Sequence, residues 1–166
     1  MCGITGIINL EGGAVSDVHL KNMNNSIEHR GPDGEGYFIE NNIGFGHRRL
    51  AIIDISSAGK QPMISSDKKV ILSYNGEVYN FREIRKELEN SGYSFVSNTD
   101  SEVVLNAWHK WGKESINRFN GMFAFSVLDK RENKVYLVRD RYGIKPLYYF
   151  YNGKTIVFGS EQKAIL

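Results

Sequence analysis

One cysteine occurs in 166 residues, and it stands directly behind the first methionine in "MCGITGI". If that methionine is removed, Cys2 carries its thiol and a free α-amine on the same carbon. The thiolate is the reactive form, and a thiol with a pKa of about 8.5 is only partly ionised near neutrality. An α-amine with a pKa of about 7.7 to 8.0 is matched to take the thiol proton, directly or through a water. One residue can then supply nucleophile and base together, as terminal threonines do. The bland alternative makes Cys2 a small apolar residue of the first strand.

Acyl transfer by such a nucleophile needs donors aimed at a developing oxyanion. The stretch "YNGE" offers both kinds, with Asn75 ending a strand, Gly76 exposing its N–H, and Glu77 beside them. Taken in isolation, an Asn-Gly pair is more often only a turn. An amino-acid substrate further needs a cation for its carboxylate and an anion for its ammonium. Arg49 in "GHRRLAIID" can grip a carboxylate with two parallel hydrogen bonds, and Glu77 and Asp100 can hold the ammonium. Each alone is more often a solvated surface charge, and Asp100 also suits a helix start, where it complements the dipole.

The four histidines, His19, His29, His47 and His109, form no closely spaced zinc pattern with the cysteine. No metal site is expected, and His29 and His47 read as structural hydrogen-bonders. The "GEG" at 34 to 36 lacks the later glycine and the helix of a dinucleotide fingerprint. With 21 Lys+Arg against 19 Asp+Glu, the net charge is +2 and no run of either sign makes a nucleic-acid or membrane footprint. The first apolar stretch, 4 to 10, is too short and too polar for a signal peptide or a membrane span. A cytoplasmic protein without disulfides is expected, with one core and about 70% of the unfolded surface buried.

The elements that must position these residues follow from periodicity. Residues 3 to 9 read as a strand, and Ser16 caps a helix with Leu20, Met23 and Ile27 on one face that ends by Arg30, ahead of Pro32. Strands are expected over 36–40 and 43–50 around the turn Asn41–Asn42, then a loop from Ser56 to Pro62, then a strand over 69–74. Asn80 with Glu83, and Thr99 with Glu102, open two amphipathic helices with capping-box spacing, the first ended by Gly92. From Gly121 the chain reads as a meander of strands: "MFAFSVLD", "KVYLVRD", "LYYFY" and "TIVFGS". Helices that interrupt strands without alternating with each one exclude a doubly wound sheet. Two sheets with helices on their outer faces are expected.

In order along the chain, "MCGI", "HRGPDGEGYF", "HRRLAIID", "YNGEVYN", "SNTDSEV", "NGMFAFSVLD" and "RDRYGIKPLYY" resemble the class II glutamine amidotransferases, the glutaminase domains among the N-terminal nucleophile hydrolases. Their asparagine synthetase branch, of the bacterial B type, is the best match. The resemblance implies an α+β fold, a four-layer αββα sandwich of two mainly antiparallel sheets. It implies that Cys2 attacks the side-chain amide of L-glutamine and that Asn75 and Gly76 form the oxyanion hole. Arg49, Glu77 and Asp100 would hold the amino-acid end, the backbone of Leu50, Ala51, Ile52 and Ile53 would line the pocket, and Arg30 would either support it from behind or make a structural ion pair. It further implies a downstream synthetase domain that uses ATP and magnesium to activate aspartate and receives the ammonia, whereas the glutaminase domain needs no cofactor. That domain is expected to lie outside this chain, and the apolar face left for it would promote self-association, so a homo-oligomer stays open. Amidation of another carboxylate is the alternative, as is a non-catalytic glutamine-binding module if Met1 is retained.

Overall fold

Side-chain alternation along β1 (Gly3–Asn9) decides the layering. Ile7 packs with Val15 and Leu20 beneath α1 (Asp17–Ser26), while its neighbour Ile8 joins Phe45, Ile71, Leu128 and Phe158 on the opposite face. In this computed structural model, which describes residues 1–166, β1 is the centre of a five-stranded antiparallel sheet. Its neighbours are β3 (Ile43–Arg49) and β9 (Thr155–Gly159), with β2 (Gly34–Glu40) and β8 (Tyr148–Tyr151) at the edges. The second sheet runs β4 (Met63–Ile64), β5 (Val70–Val78), β6 (Gly121–Asp129), β7 (Lys134–Arg139), also antiparallel throughout.

The largest core lies on the outer face of that second sheet. Val70, Leu72, Tyr74 and Val78 of β5 pack with Phe123, Phe125 and Val127 of β6 against α2 (Phe81–Glu89) and α3 (Asp100–Trp111). Trp108 lies edge-on to Phe125, with ring centroids 6.1 Å apart, and its indole N–H donates to Asp129 at 3.1 Å. The order from outside to outside is therefore α1, sheet, sheet, α2 with α3, which is the expected αββα sandwich.

Four local expectations need correction. Asn75 does not end a strand, and Asn75–Gly76 is no turn: β5 runs through both, pairing Asn75 with Ala124 and Gly76 with Phe123. Asn80 makes no capping box; its side chain bridges Arg118 O and Asn120 N, tying α2 to the segment before β6. The last four strands are not one meander, because β6 and β7 stay beside β5 while β8 and β9 cross to the first sheet, where β9 pairs with β1 and β8 forms the edge. Hairpin spacing reveals which strands are adjacent in sequence, but burial decides which sheet they join. At α3 the capping box is also incomplete, since Glu102 accepts from Val96 and Ser97 N–H while Thr99 N–H goes to Ser97 Oγ. Ser16 caps α1 and Thr99 caps α3, and Gly92, at φ +88°, closes α2 through the paired bonds Gly92 N–H to Glu89 O and Tyr93 N–H to Leu88 O.

Gly6 leaves room for the ring of its cross-strand neighbour Phe158. A Cβ there would lie 2.1 Å from Cζ of Phe158, whose ring fills the space between the sheets. Gly6→Ala should therefore destabilise the fold by about 1 to 3 kcal/mol, the usual cost of overpacking, read as a lower urea midpoint, and Phe158→Leu in the same chain should recover part of the loss.

Candidate active site

Three strands bring the site together at one end of the space between the sheets. On β3, Phe45 faces that space, so His47 and Arg49 follow on the same side. On β5, Ile71 and Ser73 face it, Ser73 Oγ donating to Gly46 O at 3.1 Å, and Asn75 comes next in phase. Cys2 precedes β1, whose Gly3 pairs with Arg48, and so lies beside Arg49 and Leu50. The result is a cleft of about 150 Å³ lined by Cys2, Arg49 to Ile53, Asn75 to Glu77 and Asp100, with room for a small amino acid. All ten residues anticipated from the sequence line it.

The thiol is held on two sides. Leu50 N–H donates to Cys2 Sγ at 3.3 Å, and the thiol faces Leu50 O at 3.6 Å. Arg30 is buried behind it, its Nε donating to Cys2 O at 3.0 Å and its Nη1 to Glu161 at 3.0 Å. Burial pushes the Cys2 thiol above its ordinary value, against the pull of the Leu50 N–H, the chain's terminal ammonium and Arg49. The thiol as it stands is thus largely protonated near neutrality, and a local base is needed to activate it.

Opposite the thiol, Asn75 is 2% exposed and its Nδ2 has no hydrogen-bond partner. A buried amide donor without an acceptor is costly, and here it borders the cleft. Asp100, also buried, accepts from Tyr74 Oη at 2.7 Å and from Val78 N–H at 3.0 Å, both on Oδ2. Burial raises the Asp100 carboxyl above its ordinary value, against those hydrogen bonds. Glu77 is exposed at the mouth. Arg49 Nη1 donates to Ser56 O at 2.8 Å and Nη2 to Asp54 O, which fixes the loop over 51–59 as the cleft's rim. Asp54 in turn accepts from Asn98 N–H at 3.1 Å, joining that rim to the start of α3.

Sequence reasoning missed the residues that stand behind the donors. Tyr74, Gln61, Ser101 and Lys145 also line the cleft. His47, fully buried, donates from Nε2 to Tyr74 O over 3.1 Å, which bears out its structural reading without revealing where it acts. The available signal was phase: His47 alternates with Phe45 and Arg49 on one strand. Gln61 had no such signal, since it sits in an irregular stretch.

The two-sheet fold, with a cleft that holds the Cys2 thiol at one end, narrows the class, and comparison with known proteins gives it. A family model described as "glutamine amidotransferase domain" matches residues 1–166, and the chain belongs to that family. It is 41% identical over 169 residues to asparagine synthetase [glutamine-hydrolyzing] 1 of Bacillus subtilis, covering 100% of this chain and 27% of the relative. It is 42% identical over 184 residues to the putative asparagine synthetase [glutamine-hydrolyzing] 2 of Methanocaldococcus jannaschii, covering 100% of this chain and 35% of the relative. The chain thus spans about a third or less of the length of these relatives. Among solved structures, the glutamine phosphoribosylpyrophosphate amidotransferase of B. subtilis superimposes with a TM-score of 0.83 at 22% identity over 99% of this chain and 43% of that one, a likeness of fold. No helix is long and apolar enough to cross a membrane.

Burial pushes the His47 imidazole down to about 4, only partly opposed by its bond to Tyr74 O. In the unfolded chain a histidine titrates near 6.5. Between those values the unfolded state binds more protons, so stability falls as pH falls from about 6.5 to 4 and amounts to about 3 kcal/mol over that window. Urea unfolding across this range should show His47→Gln losing less stability than the parent chain by about that amount.

Proposed function

We propose that this domain hydrolyses the side-chain amide of glutamine to glutamate and ammonia through a thioester on Cys2. The observation that carries the reading is the unpartnered, buried Asn75 Nδ2 bordering the same cleft as the Cys2 thiol. A neutral amide substrate leaves that donor waiting, and a tetrahedral oxyanion would satisfy it together with the Gly76 N–H.

The steps assign each atom. With Met1 removed, the Cys2 α-amine takes the thiol proton and Sγ attacks the amide carbon. The oxyanion forms between Asn75 Nδ2 and Gly76 N–H. As it collapses, the C–N bond breaks and the α-ammonium returns a proton to the departing nitrogen, releasing ammonia and leaving the thioester. Water attacks the thioester carbon, giving up its proton to the same amine, and the second oxyanion collapses to glutamate and the free thiol. Arg49 binds the substrate carboxylate with the N–H groups not spent on the rim, Glu77 and Asp100 bind the ammonium, and the backbone from Leu50 to Ile53 lines the pocket. None of these steps calls for a metal or cofactor.

Removal of Met1 decides activity. While it is attached, the Cys2 nitrogen is a peptide amide and cannot be a base. Met1 also lines the cleft, its Sδ taking a hydrogen bond from Lys145 Nζ at 3.0 Å, yet it is 55% exposed and open to an aminopeptidase. The unprocessed chain is on this reading a glutamine-binding module without turnover.

The ammonia is assigned to an asparagine-synthetase-type amidation of aspartate, with ATP and magnesium used in a separate synthetase domain or subunit. The named relatives support this, and so does the apolar surface near the cleft and beyond, where Ile52, Ile55, Tyr142 and Ile144 are all more than half exposed.

Glutamate release from glutamine should appear only in protein whose N-terminus is Cys2 by mass spectrometry and should vanish in Cys2→Ala. Asn75→Ala should lower kcat by about 10² to 10³, as loss of one oxyanion donor does, with KM little changed. Turnover by the Met1-bearing chain, or by Cys2→Ala, would refute the mechanism.

A further inference from the structure

β4 is two residues long and starts only opposite Leu72, so the side of β5 that faces away from β6 has no strand partner from there towards the site. Backbone groups of an antiparallel strand alternate in direction, and Tyr74, Gly76 and Val78 share this uncovered side. Their hydrogen bonding differs. Tyr74 N–H donates to Gln61 Oε1 at 2.7 Å, and Tyr74 O meets His47 Nε2 at 3.1 Å. Val78 N–H donates to Asp100 Oδ2 at 3.0 Å. Gly76 lies between them on the cleft wall, its N–H taken by no side chain.

Both groups on Tyr74 are themselves fixed. Gln61 is buried and its Nε2 donates to Ser101 Oγ at 3.3 Å, at the start of α3. His47 is wholly buried on the other sheet, and Nε2 donates to the carbonyl if the tautomer leaves Nδ1 bare, which agrees with Nδ1 having no partner. The Tyr74 hydroxyl donates to Asp100 at 2.7 Å. One residue is therefore anchored from the segment before β4, from the opposite sheet and from α3, and the next two residues in the chain are Asn75 and Gly76.

We infer that Gln61 and His47 are positioning residues for the oxyanion-binding pair, replacing the missing strand at Tyr74 so that β5 stays ordered while Gly76 N–H stays free. The logic is a conflict between two requirements. A longer β4 would hold β5 firmly but would cap Gly76 with a carbonyl. An uncovered edge would free Gly76 but leave a buried peptide unpaired and mobile. Side-chain partners at Tyr74 alone meet both requirements, and oxyanion donors work only when held in place beforehand. This inference rests on the glutaminase reading for its kinetic consequence, though not for its structural one.

The test uses processed protein and the pair Gln61→Leu, which loses the acceptor at similar size, and Gln61→Glu, which keeps it, with His47→Phe for the other side. Gln61→Leu and His47→Phe should lower kcat by about 10- to 100-fold, part of the full oxyanion-hole effect. KM for glutamine should stay within about twofold and alkylation of Cys2 by iodoacetamide, which needs no oxyanion hole, should be unchanged. Gln61→Glu should recover kcat to within about threefold of the parent. Unchanged kcat in Gln61→Leu overturns the inference, as does a parallel fall in kcat, glutamine affinity and alkylation rate, which would mark general loss of structure. If the parent protein with a free Cys2 shows no turnover, the glutaminase reading falls, and amide NMR still decides this one. Displaced Gly76 backbone and Asn75 side-chain resonances in Gln61→Leu support positioning, and unmoved ones overturn it.

Discussion

Cys2 belongs to one sheet and Asn75 to the other, so the packing between the sheets sets the distance across the cleft. Two features hold that packing. One is apolar: Phe158, which lies over its cross-strand neighbour Gly6 within the first sheet, packs with Ile71 and Leu128 of the second. The other is polar: Ser73 Oγ to Gly46 O and His47 Nε2 to Tyr74 O bond directly from sheet to sheet, one step before the nucleophile and the amide donor. Apolar packing gives the sheets their attraction, while these directional bonds fix their register relative to one another.

The site itself is a set of groups that burial disfavours. A thiol is kept protonated by burial, an amide N–H lacks an acceptor, and a carboxylate is buried beside a tyrosine hydroxyl. Of these only the Asn75 amide lacks a partner, whereas the thiol and the carboxyl are hydrogen-bonded and feel burial alone. Local violations of polar pairing are where structure is given up for function. The large core under α2 and α3 offsets them.

Tyr74 links two walls of the cleft. Its backbone leads into Asn75 and Gly76, and its hydroxyl shares Asp100 with Val78 N–H. Burial and then the Asp100 charge hold its phenol well above the ordinary value, so it remains a donor throughout any accessible pH.

Much of this was legible in the residues. The position of Cys2 announced its chemistry, because a terminal thiol and amine are joined by covalent bonds and need no fold to meet. The strands, the caps at Ser16 and Thr99, and the two-sheet architecture follow from periodicity, which is local. The ordered motifs also pointed to Asn75, Gly76, Arg49, Glu77 and Asp100. Tertiary structure alone decided that β5 continues through Asn75–Gly76, where pairing with β6 overrides the preference of that dipeptide for turns. It alone sent β8 and β9 to the first sheet, since sheet membership depends on which faces are buried. And it alone showed Gln61 and His47 meeting at Tyr74, because hydrogen bonds between residues 13 and 27 positions apart leave no pattern in a chain read one window at a time.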